Sequence, residues 1–165
     1  MYDIAEFLAL DELTLEASVE ADGNVLSAEQ LRRRFEEALL VSQICAVRRD
    51  NKLVAYAMLH PQSETCWFVT CFNTHPSHRT APVLLELFSG FDALVRRFGI
   101  TELRTNVYKT NQLSLSFHKR LGFRVTRENS LAVEMFTTVT EIEAARAIGR
   151  TFKRLRLSNA GPAQS

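Results

Sequence analysis

The stretch Asn111-Gln112-Leu113-Ser114-Leu115-Ser116-Phe117-His118-Lys119-Arg120-Leu121-Gly122-Phe123 decides how the rest of the chain is read. Asn111 is a residue type that caps a helix N-terminus, because its short side-chain oxygen accepts from a free amide of the first turn. Leu113, Phe117 and Leu121 recur at i, i+4 and i+8, which predicts a short amphipathic helix with one apolar stripe. Gly122 stands where such a helix ends in the left-handed conformation, and Phe123 opens the next apolar segment. By itself this is a capped surface helix of a kind any α/β protein can carry.

Working outward, Thr101 to Tyr108 reads as a strand before this helix, with Leu103 and Val107 apolar. Ahead of it Val83, Leu84, Leu87, Phe88, Phe91, Leu94, Val95 and Phe98 predict a long helix from Pro82, closed by Gly99. Pro82 suits the first turn, where its missing N–H costs little. A polar loop, His75 to Pro82, separates that helix from a strand expected over Glu64 to Thr74. Further upstream, Gln43–Arg48 and Leu53–Leu59 form a hairpin around Arg49-Asp50-Asn51-Lys52. Ser27-Ala28-Glu29-Gln30 is a capping box opening a helix to about Leu40, with Leu31, Phe35, Ala38 and Leu39 on its buried face. Residues from Ile4 to Glu20 suit one helix, or a short strand merging into one. Downstream, Phe123–Arg127 and Leu131–Phe136 read as a closing pair of strands. From Thr140 a further helix is expected, with Ile142, Ala145, Ile148 and Phe152 on one side.

The 165 residues suit one domain with one core, expected over 1–157, followed by a disordered tail over 158–165. A net charge of +1 gives no global field toward nucleic acid or an anionic membrane. The short clusters Arg32–Arg34 and Lys153–Arg156 read as a solvated face and a favourable helix end. No apolar run approaches a membrane span and no basic leader opens the chain, so a cytoplasmic location is the expectation. Cys45, Cys66 and Cys71 are odd in number, lack a paired spacing and fall in predicted strands, where reduced thiols pack as small hydrophobes. A metal site is not expected.

Asn at 0, a small residue at +3, an aromatic at +6, a proton-carrying ring at +7 and Leu-Gly-Phe at +10 to +12 resemble the signature of the GNAT family of N-acetyltransferases. The succession of elements from Ser27 to Phe136 is similar to that family's core. The resemblance implies a single α/β (α+β) domain with a mixed, mostly antiparallel central sheet flanked by helices. The family usually opens with a strand, whereas this chain reaches helical pattern almost at once, and the C-terminal helix would be an addition.

The implied activity is transfer of an acyl group, acetyl in most of the family, from coenzyme A to a primary amine by direct attack. The acceptor would be a small molecule or a protein amine, and a homodimer is a family option that no residue here argues for. Around the co-substrate the resemblance places Phe72, Thr74, Arg79, Thr80, Ala81, Val83, Leu84, Asn111, Ser114 and Phe117. In the family, Arg/Gln-x-x-Gly-x-Gly/Ala binds the pyrophosphate through free amides at a helix start. Here Arg79 holds the first position, but Pro82 and Leu84 occupy the glycine positions, so weaker or altered binding is expected. His118 takes the place of the tyrosine that serves the family as acid, and an imidazolium can also protonate a thiolate. The opposing reading of His118 is a ring that merely sits at a helix end near solvent. No acidic residue lies between Thr65 and Thr74 to act as base; His60, Glu64 and His75 flank that stretch, and a water relay is an equal alternative. The same departures support a second reading, a non-catalytic binding or scaffold module on the same fold.

Overall fold

The computed structural model describes residues 2–22 and 27–145, with side chains described outside 15–22. Two helices come first, α1 (Ile4–Asp22) and α2 (Ala28–Val41). No strand precedes α1 among the described residues. The Ser27–Gln30 capping box forms with both bonds present. Arg32 and Arg33 pair with Glu36 and Glu37 one turn on, at the exposed face.

Six strands make one sheet in the order β1-β2-β3-β4-β6-β5: β1 (Gln43–Arg49), β2 (Lys52–Pro61), β3 (Cys66–Thr74), β4 (Glu102–Tyr108), β5 (Arg124–Glu128) and β6 (Ala132–Thr138). Asp50 and Asn51, with φ of 49° and 65°, give the β1–β2 hairpin a two-residue turn whose twist matches its strands. All neighbours pair antiparallel except β3 and β4, which are parallel and linked by α3 (Ala81–Phe98). α4 (Gln112–Arg120) connects β4 to β5, and α5 (Val139–Ala144) follows β6. Ile148, Phe152 and the expected tail lie outside the described residues.

A bulge in β3 sets which side chains meet which helix. Met58 pairs with Cys71 but Leu59 pairs with Val69, so Thr70 is an extra residue and the in–out alternation reverses there. Trp67 and Val69 therefore face the larger core beneath α3, and beyond the bulge Phe72 does so as well. Cys71 and Tyr56 face the smaller core, built with Phe7, Leu10 and Phe35 from α1 and α2. α3 crosses β1 closely because Gly90 has no side chain; a Cβ there would sit 3.0 Å from that of Cys45.

Candidate active site

β3 and β4 pair over only three residues on each strand, Cys66–Phe68 with Glu102–Arg104, and then part. Thr105 Oγ1 donates to the Val69 carbonyl at 3.0 Å, filling the first ladder position that the separation leaves open. Beyond it the β3 backbone from Thr70 to Thr74 has no partner on the β4 side. Both strands run toward this split, so α3 and α4 begin at its mouth. The carboxyl ends of parallel strands are where open α/β sheets generally take ligands.

One wall of the split is aromatic. Phe72 stacks on Phe117 of α4 with ring centroids 5.4 Å apart and on Phe88 of α3 at 5.3 Å. Beneath them lies a small cavity of about 20 Å³, whose lining includes Phe72, Phe91, Phe117, His118 and Phe123. Thr74 is buried at the end of β3.

The loop that follows turns through one 3-10 turn, Pro76–His78. Its amides are unevenly available. Ser77 N–H donates to His75 Nδ1, His78 N–H to the His75 carbonyl, Thr80 N–H to the His78 carbonyl and Leu84 N–H to the Thr80 carbonyl. Pro82 has no N–H. The amides of Arg79, Ala81 and Val83 are thus the ones this segment can still direct at a ligand, at a helix start whose dipole favours an anion. The Arg79 side chain is exposed beside them. Leu84 packs partly on the core rather than standing free over the helix entrance, and Val83 is buried.

On α4 the Asn111 cap forms, its side chain accepting from Ser114 N–H at 3.0 Å. The expected stripe holds at Phe117 and Leu121 and fails at Leu113. Leu113 is exposed, and the inward side carries Leu115 and His118 as well. The helix closes as a Schellman motif, with Gly122 at φ 94°, Gly122 N–H on the Lys119 carbonyl and Phe123 N–H on the His118 carbonyl. That motif brings the side chains of its first and last residues together, and the His118 and Phe123 rings meet edge-on at 5.0 Å.

His118 is consequently 7% exposed. Its Nδ1 lies 2.8 Å from the Ser114 carbonyl, which can only accept, so Nδ1 carries the proton and Nε2 the lone pair. Burial pushes its pKa below the ordinary value of 6.5, the Ser114 carbonyl opposing. The ring is neutral at physiological pH. A proton-donating role, as expected from the family's tyrosine, requires the imidazolium that this environment disfavours.

Opposite the aromatic wall, on the α1 face of the same strand, stands a polar group that sequence reading missed. Asp11 Oδ1 accepts from Tyr56 O–H and Asn73 Nδ2, both at 2.6 Å, with Cys71 Sγ at 3.9 Å. Burial raises the Asp11 pKa, and the Tyr56, Asn73 and Cys71 donors oppose that rise. The one sequence signal was an acid on the face that Phe7, Leu10 and Thr14 share at helical spacing. Among the flanking candidates for a base, His60 Nδ1 lies 3.1 Å from Thr70 Oγ1, and Glu64 is in the β2–β3 connection. His75 is the acceptor within its own loop turn. Among the described residues no group of His, Cys, Asp and Glu could hold a metal ion, and no helix is long and apolar enough to cross a membrane.

Comparison with solved structures places the fold. An acetyltransferase from Streptococcus agalactiae matches with a TM-score of 0.66 and 20% identity, over 84% of this chain and 92% of that one. The PaiA N-acetyltransferase from Thermoplasma acidophilum, solved in complex with coenzyme A, matches at 0.61 and 16%, over 83% and 95%. An aminoglycoside 6'-acetyltransferase type Ii matches at 0.61 and 17%, over 83% and 94%. No curated protein sequence matches this chain. The model of the acetyltransferase (GNAT) family matches residues 7–123, which take in both N-terminal helices, the split between β3 and β4 and the whole Asn111–Phe123 stretch, and the chain therefore belongs to that family.

Proposed function

We propose that the protein is an acyl-CoA-dependent N-acyltransferase acting on a primary amine by direct transfer. The observation that carries this reading is the open split between β3 and β4, with an aromatic wall on one side and three uncommitted amides at the α3 entrance. An acyl-CoA, when bound, supplies the activated thioester. Arg79 and the amides of Arg79, Ala81 and Val83 would hold its diphosphate. The β3 backbone around Phe72–Thr74, paired with β2 but open on its β4 side, offers ladder positions to an extended amide-bearing arm, and Phe72 and Phe117 exclude water beside it. Asn111 and Ser114 contribute by fixing α4, the helix that presents Phe117.

A specific observation favours a second reading, a degenerate binding module: His118 is neutral and its Nε2 has no proton to give. Calorimetric titration with acetyl-CoA, and with free coenzyme A beside it, separates the two. Micromolar binding that weakens on Arg79→Ala, together with thiol release when amines are added, is expected of the enzyme. Binding without release in any amine leaves the module. No binding removes the coenzyme A-dependent enzyme and favours the non-catalytic scaffold, or points to an acyl donor carried on something other than coenzyme A.

A further inference from the structure

The carboxylate of Asp11 is half-buried and has no cation partner among the described residues. Its Oδ1 is held by Tyr56 and Asn73, and among those residues no donor reaches Oδ2. Partly removing a carboxylate from water without a counter-charge is costly, and a carboxylate held this way with hydrogen-bond donors on one oxygen is a candidate for recognition of a cation. The placement is informative. Tyr56 and Asn73 are cross-strand partners, so both side chains emerge on the α1 face of the sheet. Asn73 lies between Phe72 and Thr74 on the part of β3 that has left β4. The backbone proposed for the acyl donor and the Asn73 side chain that holds the Asp11 carboxylate therefore share the same three residues of β3, the first on the side that has left β4 and the second on the α1 face.

We infer that Asp11, oriented by Tyr56 and Asn73, binds the primary ammonium of the acceptor on the α1 face of the split. The inference rests on the acyltransferase reading and adds to it the group that recognises the acceptor. An acceptor-only carboxylate with one free oxygen selects a cationic donor over a neutral hydroxyl of the same shape. Tyr56 is itself buried and kept protonated by burial, so it remains a donor to Oδ1 and does not compete for the ammonium.

The test uses the full ¹⁵N-labelled chain and the side-chain amide resonances of Asn73, which report the site without turnover. n-Butylammonium chloride is titrated at constant ionic strength, with n-butanol as its neutral counterpart. The expected result is a saturable millimolar shift with butylammonium and none with butanol, weakened roughly 10- to 100-fold by Asp11→Asn, the loss of one charge-assisted hydrogen bond. The carboxamide oxygen introduced by Asp11→Asn can still accept from both Tyr56 and Asn73, so acetyl-CoA affinity is unchanged. The melting temperature is unchanged or higher, because a desolvated charge has gone. Equal shifts with butanol, no saturable shift in the unsubstituted chain, or an Asp11→Asn variant that binds butylammonium as well would overturn the inference. The first two comparisons need no variant. Acetyl-CoA binding with no ammonium site rejects Asp11 and leaves the acyltransferase reading standing; an ammonium site with no acetyl-CoA binding does the reverse.

Discussion

His118 shows how one position can satisfy a family spacing and still be claimed by packing. It occupies the point where α4 must contact Phe123 to close its Schellman motif, and its Nδ1–H is committed to the Ser114 carbonyl. Its lowered pKa has a consequence with a definite sign. Below about pH 6.5 the unfolded chain takes up a proton that the folded ring refuses, so stability is lost as pH falls through that range. His60, whose pKa burial also lowers, contributes in the same direction. His118→Tyr should flatten part of this slope in urea titrations run between about pH 5 and 7. The adjoining cavity of about 20 Å³ gives the larger ring some room. If the protein is a catalyst limited by protonation of the leaving thiolate, the same variant should raise kcat by about 10-fold or more, because a phenol restores the missing donor. A His118→Phe variant with unchanged kcat would show that the histidine itself carries no proton in the reaction.

At the scale of elements, the Asn111–Phe123 segment was legible because its signals are local. A cap, a helix and a glycine stop are dictated within a dozen residues by hydrogen-bonding and φ preferences. Gly122 is the most constrained of these residues. Its φ of 94° is strained for any L side chain, and a Cβ would lie 3.3 Å from the Glu141 carbonyl of α5. Gly122→Ala should therefore cost about 1–3 kcal/mol in urea unfolding, more than the few tenths expected of an ordinary surface glycine. The helix periodicity revealed the inward side only in part. Phe117 and Leu121 of the expected stripe do pack on the core, but Leu113 is exposed, and the Schellman turn with its contact to Phe123 brings His118 inward beside Leu115. The phosphate-loop signals were similarly half-readable. Pro82 was visible as a missing donor, but which of the remaining amides were free depended on how His75 folded back on Ser77 and His78.

For the molecule as a whole, one sheet carries two cores, and the strands shared between them should make unfolding cooperative. Leu103 is fully buried in the larger core, and Phe7 of α1 is fully buried in the smaller one. Leu103→Ala and Phe7→Ala should each destabilise by about 2–5 kcal/mol. Tryptophan fluorescence, which sees Trp67 in the larger core, and far-ultraviolet circular dichroism should give coincident transitions in both variants. A Phe7→Ala protein that lost helix signal before Trp67 responded would show that α1 and α2 unfold separately. The sequence by itself determined the order of elements, the capped helices, the hairpin and a family-like spacing, because each follows from contacts between residues close in the chain. Tertiary structure alone decided the early parting of β3 and β4, the reversal of β3 at Thr70, the protonation of His118 and the meeting of Asp11 with Tyr56 and Asn73. These depend on residues 45 and 62 positions apart and on the water that packing excludes, and no local pattern in the chain encodes either.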